Sequence, residues 1–176
     1  FPYTTLFRSV RERAVASFSK VADPETSLFL NLHPAELLDA SLYAEGASTM
    51  KIATRVVFEV TERTAIDGIH DVKTRTSVLR FHGYRLAVDD LGAGYAGLTS
   101  FVTLEPEIVK LDMSLVRDVH KSERKQRVVS AVAKLARELK MRLVAEGIET
   151  KAELDTIKRL GCHLAQGYYL GRPGPL

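Results

Sequence analysis

The sequence predicts an α/β fold, an incomplete (β/α)8 barrel with about six βα units, and two patterns carry this prediction. Short, nearly continuous apolar runs alternate with longer segments of helical period, as in parallel sheets whose strands are buried on both faces. Each run has a polar or charged residue at or near its carboxyl end, and in α/β barrels that edge carries the ligand site.

Six apolar runs along the chain are predicted to be strands, because each is short and bounded by polar or turn-forming residues. They are Leu28–Leu32, Val56–Val60, Leu86–Val88, Ile108–Leu111, Arg142–Ala145 and His163–Leu170. The residues near their carboxyl ends are Asn31, Glu59, Asp89, Asp90, Lys110, Asp112, Glu146 and Gln166.

Helices are predicted between these strands. Ile66–His82 and Glu123–Lys140 have helical period, and a further helix begins at Thr150, where Glu153 completes a capping box, and ends at Gly161. The apolar stripe of the second helix consists of Val128, Val129, Val132, Leu135, Ala136 and Leu139.

The length of the chain bears on the barrel prediction. A (β/α)8 barrel needs about 250 residues, so we expect the first two strands to be missing from these 176 residues. An open doubly wound sheet is the alternative, but it would carry a glycine-rich phosphate turn after its first strand, which the sequence lacks. Residues 1–9 resemble translated sequencing adapter, and we interpret them as a non-native extension of a domain at residues 10–176.

Composition excludes several classes of protein. The values of 45% apolar and 27% charged residues exclude a disordered chain. A net charge of +3, no tryptophan and 7% aromatic residues argue against nucleic-acid binding. No apolar run approaches a membrane span and no export signal is visible, so we expect a soluble segment without membrane contact. The single cysteine, Cys162, indicates a reducing, cytoplasmic location.

The acidic strand-end residues predict a metal site. Burying several carboxylates without compensation costs several kcal/mol each, and the single charge of Lys110 is too small to balance four of them. Carboxylate and amide oxygens favour Mg²⁺ or Mn²⁺, and the five histidines show no zinc-ligand spacing. The set that would meet at this edge is Asn31, Glu59, Asp89, Asp90, Glu146 and Gln166.

The adjacent pair Asp89–Asp90 narrows the chemistry. Neighbours on a regular strand point to opposite faces, but Gly92 and Gly94 let the backbone bend and present both carboxylates. Two metals about 3.5–4 Å apart, bridged by one carboxylate, would hold an attacking hydroxide and a phosphate oxygen together. This arrangement is typical of phosphodiester hydrolysis.

Single members of the set also have structural interpretations. Any one strand-end carboxylate is more often a helix cap or a surface ion pair than a ligand. Lys110 could form an ion pair with Asp112, and Gln166 could satisfy backbone groups at a strand end. Glu149 is explained as well by its place near a helix start as by a role in the site.

Five segments, in order, and residues 31–34 before them form a recognisable set: Phe58–Glu62, Val88–Tyr95, Val109–Asp112, Val144–Thr150 and Gln166–Tyr168. Together they resemble the EAL-domain cyclic-di-GMP phosphodiesterases over residues 10–176. The resemblance implies the carboxyl-terminal three-quarters of a modified (β/α)8 TIM-type barrel. It also implies hydrolysis of cyclic-di-GMP to linear pGpG with Mg²⁺ or Mn²⁺, two ions in all.

The resemblance also implies a role for each matching residue. Asn31, Glu59 and Asp89 would bind the first metal, with Asp89 shared and Asp90 on the second. Lys110 would orient or help deprotonate the attacking water, and Glu146 would lie beside that water as ligand or base. The remaining expected contributors to substrate contact or to hydrogen bonds behind the ligands are Gln166 and Asp112.

The resemblance further implies partners and alternatives. Glu62 would anchor the Asp90–Ser100 loop, which serves a homodimer contact, and sensory or GGDEF domains often precede such barrels. The Glu-Ala-Leu segment that supplies one metal ligand is absent, so we expect the sequence as given to be inactive although its parent is an enzyme. A catalytically silent cyclic-di-GMP receptor or protein-interaction module is the alternative. A phosphosugar enzyme is disfavoured because no glycine-rich phosphate cup lies near the last strands.

Overall fold

A computed structural model describes residues 2–21, 23–44, 46–61, 71–93 and 99–174. The chain forms two compact units, residues 1–86 and residues 87–174. Each unit contains some of the residues that the sequence predicts to bind metal, to act in catalysis or to form hydrogen bonds behind the ligands. Asn31 and Glu59 belong to the first unit, and all the others, from Asp89 onward, belong to the second.

In the first unit, two parallel strands pair in a register that places Asn31 beside Glu59. The strands are β1 (Leu28–Asn31) and β2 (Val56–Thr61), and the helices are α1 (Pro2–Phe18) and α2 (Val72–Phe81). Short 3-10 helices at Pro34–Leu38, Ala40–Leu42 and Ser48–Arg55 connect β1 to β2. Helix α1 includes residues 2–9, whose non-native origin stays a prediction.

The core of the first unit surrounds β2, whose residues 56–60 are all buried, as the continuous apolar run predicts. The ring of Tyr84 lies 4.9 Å from that of Phe58, and its hydroxyl is 2.7 Å from Thr49 Oγ1. A buried ion pair joins Arg11 Nη2 to Glu36 Oε1 at 2.8 Å. These two contacts satisfy polar groups that burial would otherwise leave without a partner.

Within the described residues, the helix predicted over Ile66–His82 covers Val72–Phe81, which is α2. Asp71, the residue before it, has a non-helical φ of +62°. Residues 62–70 lie outside the described part of the chain. The predicted end is confirmed, because Gly83 with a φ of +95° follows His82.

The second unit contains four consecutive parallel strands. They are β3 (Arg85–Leu91, entering the unit at Ala87), β4 (Ile108–Leu111), β5 (Arg142–Ala145) and β6 (Leu164–Ala165). The helices are α3 (Thr99–Leu104), α4 (Met113–Val116), α5 (Glu123–Glu138) and α6 (Lys151–Arg159). Strands β4 and β5 have the bounds predicted from their apolar runs.

The last predicted strand, His163–Leu170, is wrong in length, since β6 covers only Leu164–Ala165. After Gln166 the chain turns, because the amide of Leu170 donates to the carbonyl of Gly167. The apolar residues of that turn are exposed loop residues rather than strand residues, and Leu170 is 51% exposed. Apolar composition alone does not distinguish the two.

Helix α5 buries a narrower stripe than the sequence predicts. Its buried residues are Val129, Ala133 and Ala136, whereas Val128 and Leu139 are 41% and 51% exposed. The small alanine side chains at the centre of the stripe let the helix pack closely against the core. The flanking residues Val128 and Leu139 therefore remain outside the packed surface. None of the helices in the described ranges has the length and apolar character needed to cross a bilayer.

Candidate functional site

The end of β3 brings two neighbouring carboxylates to one place by bending the backbone. The pairing with β4 shifts register between Val88 and Leu91, and Asp90 has a φ of +60°. The amide of Asp90 donates to Asp89 Oδ1 at 2.9 Å. A regular strand would send the two side chains to opposite faces. Here the irregularity leaves a carboxylate oxygen of each aspartate within 4.8 Å of the other.

Lys110 lies between two of the predicted acidic residues. Its Nζ is 3.0 Å from Asp89 Oδ1 and 2.8 Å from Glu146 Oε1, and the residue is only 6% exposed. Carboxylate oxygens of Asp89, Asp90 and Glu146 all lie within 4.8 Å of one another. Three carboxylates so close together form an oxygen ligand set that suits Mg²⁺ or Mn²⁺.

Glycines hold the loops that follow β4, β5 and β6 in close contact. A Cβ added to Gly147, which follows Glu146, would lie 2.6 Å from Met113 Cβ. A Cβ on Gly167, which follows Gln166, would lie 2.2 Å from the backbone nitrogen of Ile148. The loops can approach this closely only without those side chains, and the approach limits how far Glu146 and Gln166 can move.

Asn31 and Glu59 lie in the first unit, and each is at or near the carboxyl end of one of two neighbouring parallel strands, as the sequence predicts. Glu59 is 8% exposed, and its backbone carbonyl accepts the amide of Leu32 at 2.8 Å. Their role as metal ligands stays a prediction.

Other predicted residues have identifiable local functions. Asp112 accepts the amide of Ser114 at 2.9 Å and so caps α4. Gln166 is exposed at the end of β6, and its carbonyl accepts the amide of Ile148 at 3.0 Å. Glu149, left ambiguous by the sequence, forms an exposed ion pair with Arg117. The predicted anchor Glu62 and residues 94–98 of the Asp90–Ser100 loop lie outside the described residues.

The sequence identifies Glu153 only as half of a capping box. In the structure this residue is 3% exposed, and its carboxylate also accepts the amides of Asp118 and Glu149. Burial raises the pKa of Glu153, but the backbone amides that donate to it outweigh burial and hold that pKa below its ordinary value. The capping motif was a visible signal, whereas the contact with Asp118 could not be read locally.

Cys162 offers no reactive thiol to the site. Burial raises the pKa of this cysteine to about 12, so the thiol is neutral near pH 7. A thiol that is neutral near pH 7 is a weak nucleophile, which argues against a covalent role for this residue.

Comparison with known proteins shows which family of proteins the chain matches. The family model described as the EAL domain matches residues 2–173. The chain is 33% identical over 177 residues to the cyclic di-GMP phosphodiesterase RocR of Pseudomonas aeruginosa, covering 97% of this chain and 45% of RocR. It is 34% identical over 122 residues to MucR of the same organism, named a bifunctional diguanylate cyclase/cyclic di-GMP phosphodiesterase, covering 69% of this chain and 18% of MucR.

Among solved structures, the fold matches Klebsiella pneumoniae BlrP1 in its manganese/cy-diGMP complex with a TM-score of 0.86 and 31% identity. The match covers 96% of this chain and 44% of BlrP1. These matches confirm the predicted fold class, an incomplete modified (β/α)8 TIM-type barrel. The chain spans less than half the length of the curated relatives RocR and MucR.

Proposed function

Because this chain belongs to the EAL domain family, we propose that the protein containing it is a metal-dependent phosphodiesterase that hydrolyses cyclic-di-GMP to linear pGpG. RocR and MucR, to which the chain is similar, are named as cyclic di-GMP phosphodiesterases, and BlrP1 was solved with manganese and cy-diGMP. The proposal extends that activity to this chain on the strength of its own site.

One observation carries the proposal: a buried lysine contacts two carboxylates at the ends of the two strands that flank its own, and a third carboxylate lies beside them. Lys110 reaches Asp89 and Glu146 at 3.0 and 2.8 Å, and Asp90 belongs to the same group of oxygens. Such a concentration of acidic groups is costly unless cations compensate it. A purely structural site would need only one acidic partner for one lysine.

The donor set fits the metals that the family uses. All the proposed ligands are hard oxygen donors, and we assign Asn31, Glu59 and Asp89 to one ion and Asp90 to a second, with Asp89 shared. When bound, Mg²⁺ or Mn²⁺ would supply a water of lowered pKa and neutralise charge on the phosphate.

The side chains around the metals would divide the remaining work. As an ammonium group, Lys110 donates hydrogen bonds and would orient the attacking water, whereas the carboxylate of Glu146 can accept its proton. Water oxygen then bonds to phosphorus, the bond from phosphorus to the ribose 3′ oxygen breaks, and that oxygen takes a proton from solvent. Gln166 and Asp112 would contribute hydrogen bonds at the rim of the site.

We assign a homodimer contact to the loop after Asp90 and sensory or GGDEF domains to the rest of the natural protein. The first assignment rests on the resemblance to the EAL-domain family, and helix α3 follows this loop. MucR, named for both cyclase and phosphodiesterase activity, supports the second assignment. The cytoplasmic location stays a prediction from the single cysteine.

The test is an assay of cyclic-di-GMP hydrolysis by the natural protein that contains this sequence, with Mg²⁺ or Mn²⁺ and chromatographic detection of pGpG. Asp89→Asn, which keeps the side-chain volume but removes the charge, should lower kcat at least about 1000-fold, equivalent to about 4 kcal/mol. Asp155→Asn on the exposed face of α6 is the matched control and should retain the wild-type rate.

Two results would contradict the proposal. Hydrolysis by Asp89→Asn at the wild-type rate would remove this residue from the reaction. Cyclic-di-GMP binding by the wild type without any hydrolysis would instead support the receptor alternative.

A further inference from the structure

The segment between β5 and α6 carries Glu146 and is held by its backbone at several points. The amide of Glu146 donates to the carbonyl of Leu111 at 3.1 Å, and the amide of Ile148 donates to the carbonyl of Gln166 at 3.0 Å. Gly147 between them has a φ of +72° and no room for a side chain. Only Gly147 and Ile148 separate Glu146 from Glu149, so the position of Glu146 depends on how the end of this short segment is held.

The end of this segment is fixed by the carboxylate of Glu153. Its Oε2 accepts the amides of Glu149 at 3.0 Å and Thr150 at 2.9 Å, and its Oε1 accepts the amide of Asp118 at 2.8 Å. Asp118 lies in the loop that follows β4 and α4, so one side chain joins the loops after two neighbouring strands.

Helix capping accounts for only part of this arrangement. A capping box requires one contact between the glutamate and the amide of the N-cap residue, here Thr150. The contacts with Glu149 and Asp118 go beyond it. The carboxylate of a residue that is only 3% exposed, accepting three amides, is a rigid support, because charged hydrogen bonds are stronger than neutral ones and a buried residue meets little competing water.

We propose that Glu153 is a positioning residue: by joining the loops after β4 and β5, it holds Glu146 in place beside Lys110 and the two aspartates. This inference rests on the proposed function for its consequence in catalysis, but its structural consequence is independent of that function. Residues that orient the ligands of a metal affect affinity and rate without touching the ion or the substrate.

The experiment uses the natural protein and four variants. Glu153→Ala removes the acceptor of all three hydrogen bonds. Glu153→Gln keeps a side chain of similar size with one carbonyl oxygen. Thr150→Ala removes the reciprocal half of the capping box, the bond from the Glu153 amide to Thr150 Oγ1, but leaves the carboxylate in place. Asp155→Asn changes an exposed carboxylate on the same helix.

Three measurements distinguish positioning from helix stability: Mn²⁺ affinity by electron paramagnetic resonance, hydrogen exchange at the amides of Asp118, Glu149 and Thr150, and the separate values of kcat and KM. Glu153→Ala should bind Mn²⁺ about 10-fold to 100-fold more weakly, lose protection at all three amides, and lower kcat more than it changes KM. Glu153→Gln should fall between Glu153→Ala and the wild type. Thr150→Ala and Asp155→Asn should retain wild-type Mn²⁺ affinity.

Wild-type Mn²⁺ affinity and kcat in folded Glu153→Ala would overturn the proposal, as would an equal loss of affinity in Thr150→Ala. If Glu153→Ala does not fold, Glu153→Gln decides, and wild-type values in it would overturn the proposal. If the wild type binds Mn²⁺ but hydrolyses no cyclic-di-GMP, the proposed function is wrong, while the affinity and exchange comparisons still decide the role of Glu153.

Discussion

Among the described residues, two groups of three potential ligand residues lie in the second unit, and the ligand atoms in each group lie within 4.8 Å of one another. The first group is Asp89, Asp90 and Glu146, and the second is Asp118, His120 and Glu153. By distance alone the two are equivalent. Their surroundings make them different.

In the first group, a single buried ammonium, that of Lys110, faces two of the three carboxylates. In the second, Glu153 accepts three backbone amides, three of the about four lone-pair positions of a carboxylate. Asp118 is exposed and pairs with Lys121 at 2.8 Å. Proximity of acidic groups therefore does not define a metal site, because oxygens already used by the backbone have little capacity left for an ion.

In this comparison, the largest expected effect on stability comes from removing the ammonium group of Lys110 from the first group. Lys110→Met should lower the free energy of unfolding by about 3 kcal/mol in the absence of metal, because it leaves poorly solvated carboxylates without compensation. Mn²⁺ should then restore more stability than it adds to the wild type. Urea denaturation with EDTA or with Mn²⁺ measures both quantities.

The exposed Lys134, 77% exposed on α5, supplies the control, since Lys134→Met should leave both quantities unchanged. If Lys110→Met and the wild type were equally stable, or gained equal stability from Mn²⁺, the ammonium group of Lys110 would not compensate the carboxylates of the first group.

A smaller effect compares one identical substitution in the two groups. Asp90 and Asp118 both have a positive φ, +60° and +55°, which asparagine tolerates, so Asp→Asn strains neither backbone. Asp90→Asn should weaken Mn²⁺ binding at least about tenfold, equivalent to about 1.4 kcal/mol, whereas Asp118→Asn should leave it unchanged. Titration calorimetry provides the measurement. Similar losses in both variants would show that the second group also binds the ion.

The smallest effect is a dependence of stability on pH in the second group. The amides that donate to Glu153 lower its pKa in the folded protein, so this residue stabilises the fold above its ordinary pKa of 4.5, and that contribution is lost as the pH falls through the lowered value. The stability difference between wild type and Glu153→Gln should therefore be constant near neutral pH and shrink in acid. Chemical denaturation between about pH 7 and pH 3 measures it. A difference that stays constant over this range would contradict the assignment.

Local patterns in the sequence predicted much of this molecule. Ile108–Leu111 and Arg142–Ala145 are strands with the predicted bounds, and the capping box of Thr150 and Glu153 begins α6 as expected. The acidic residues at the strand ends were also recognisable. Each of these signals depends on residues a few positions apart, and the geometry of strands and helix termini is a property of such short segments.

Contacts between distant segments were decided only by the tertiary structure. The bond from the Asp118 amide to Glu153 joins residues 35 positions apart, and the position of Lys110 between Asp89 and Glu146 depends on the pairing of three strands. The exposure of Val128 and the short last strand likewise depend on what packs against them. Composition and spacing specify which groups can compensate a buried charge, but packing alone determines which of them lie close enough to do so.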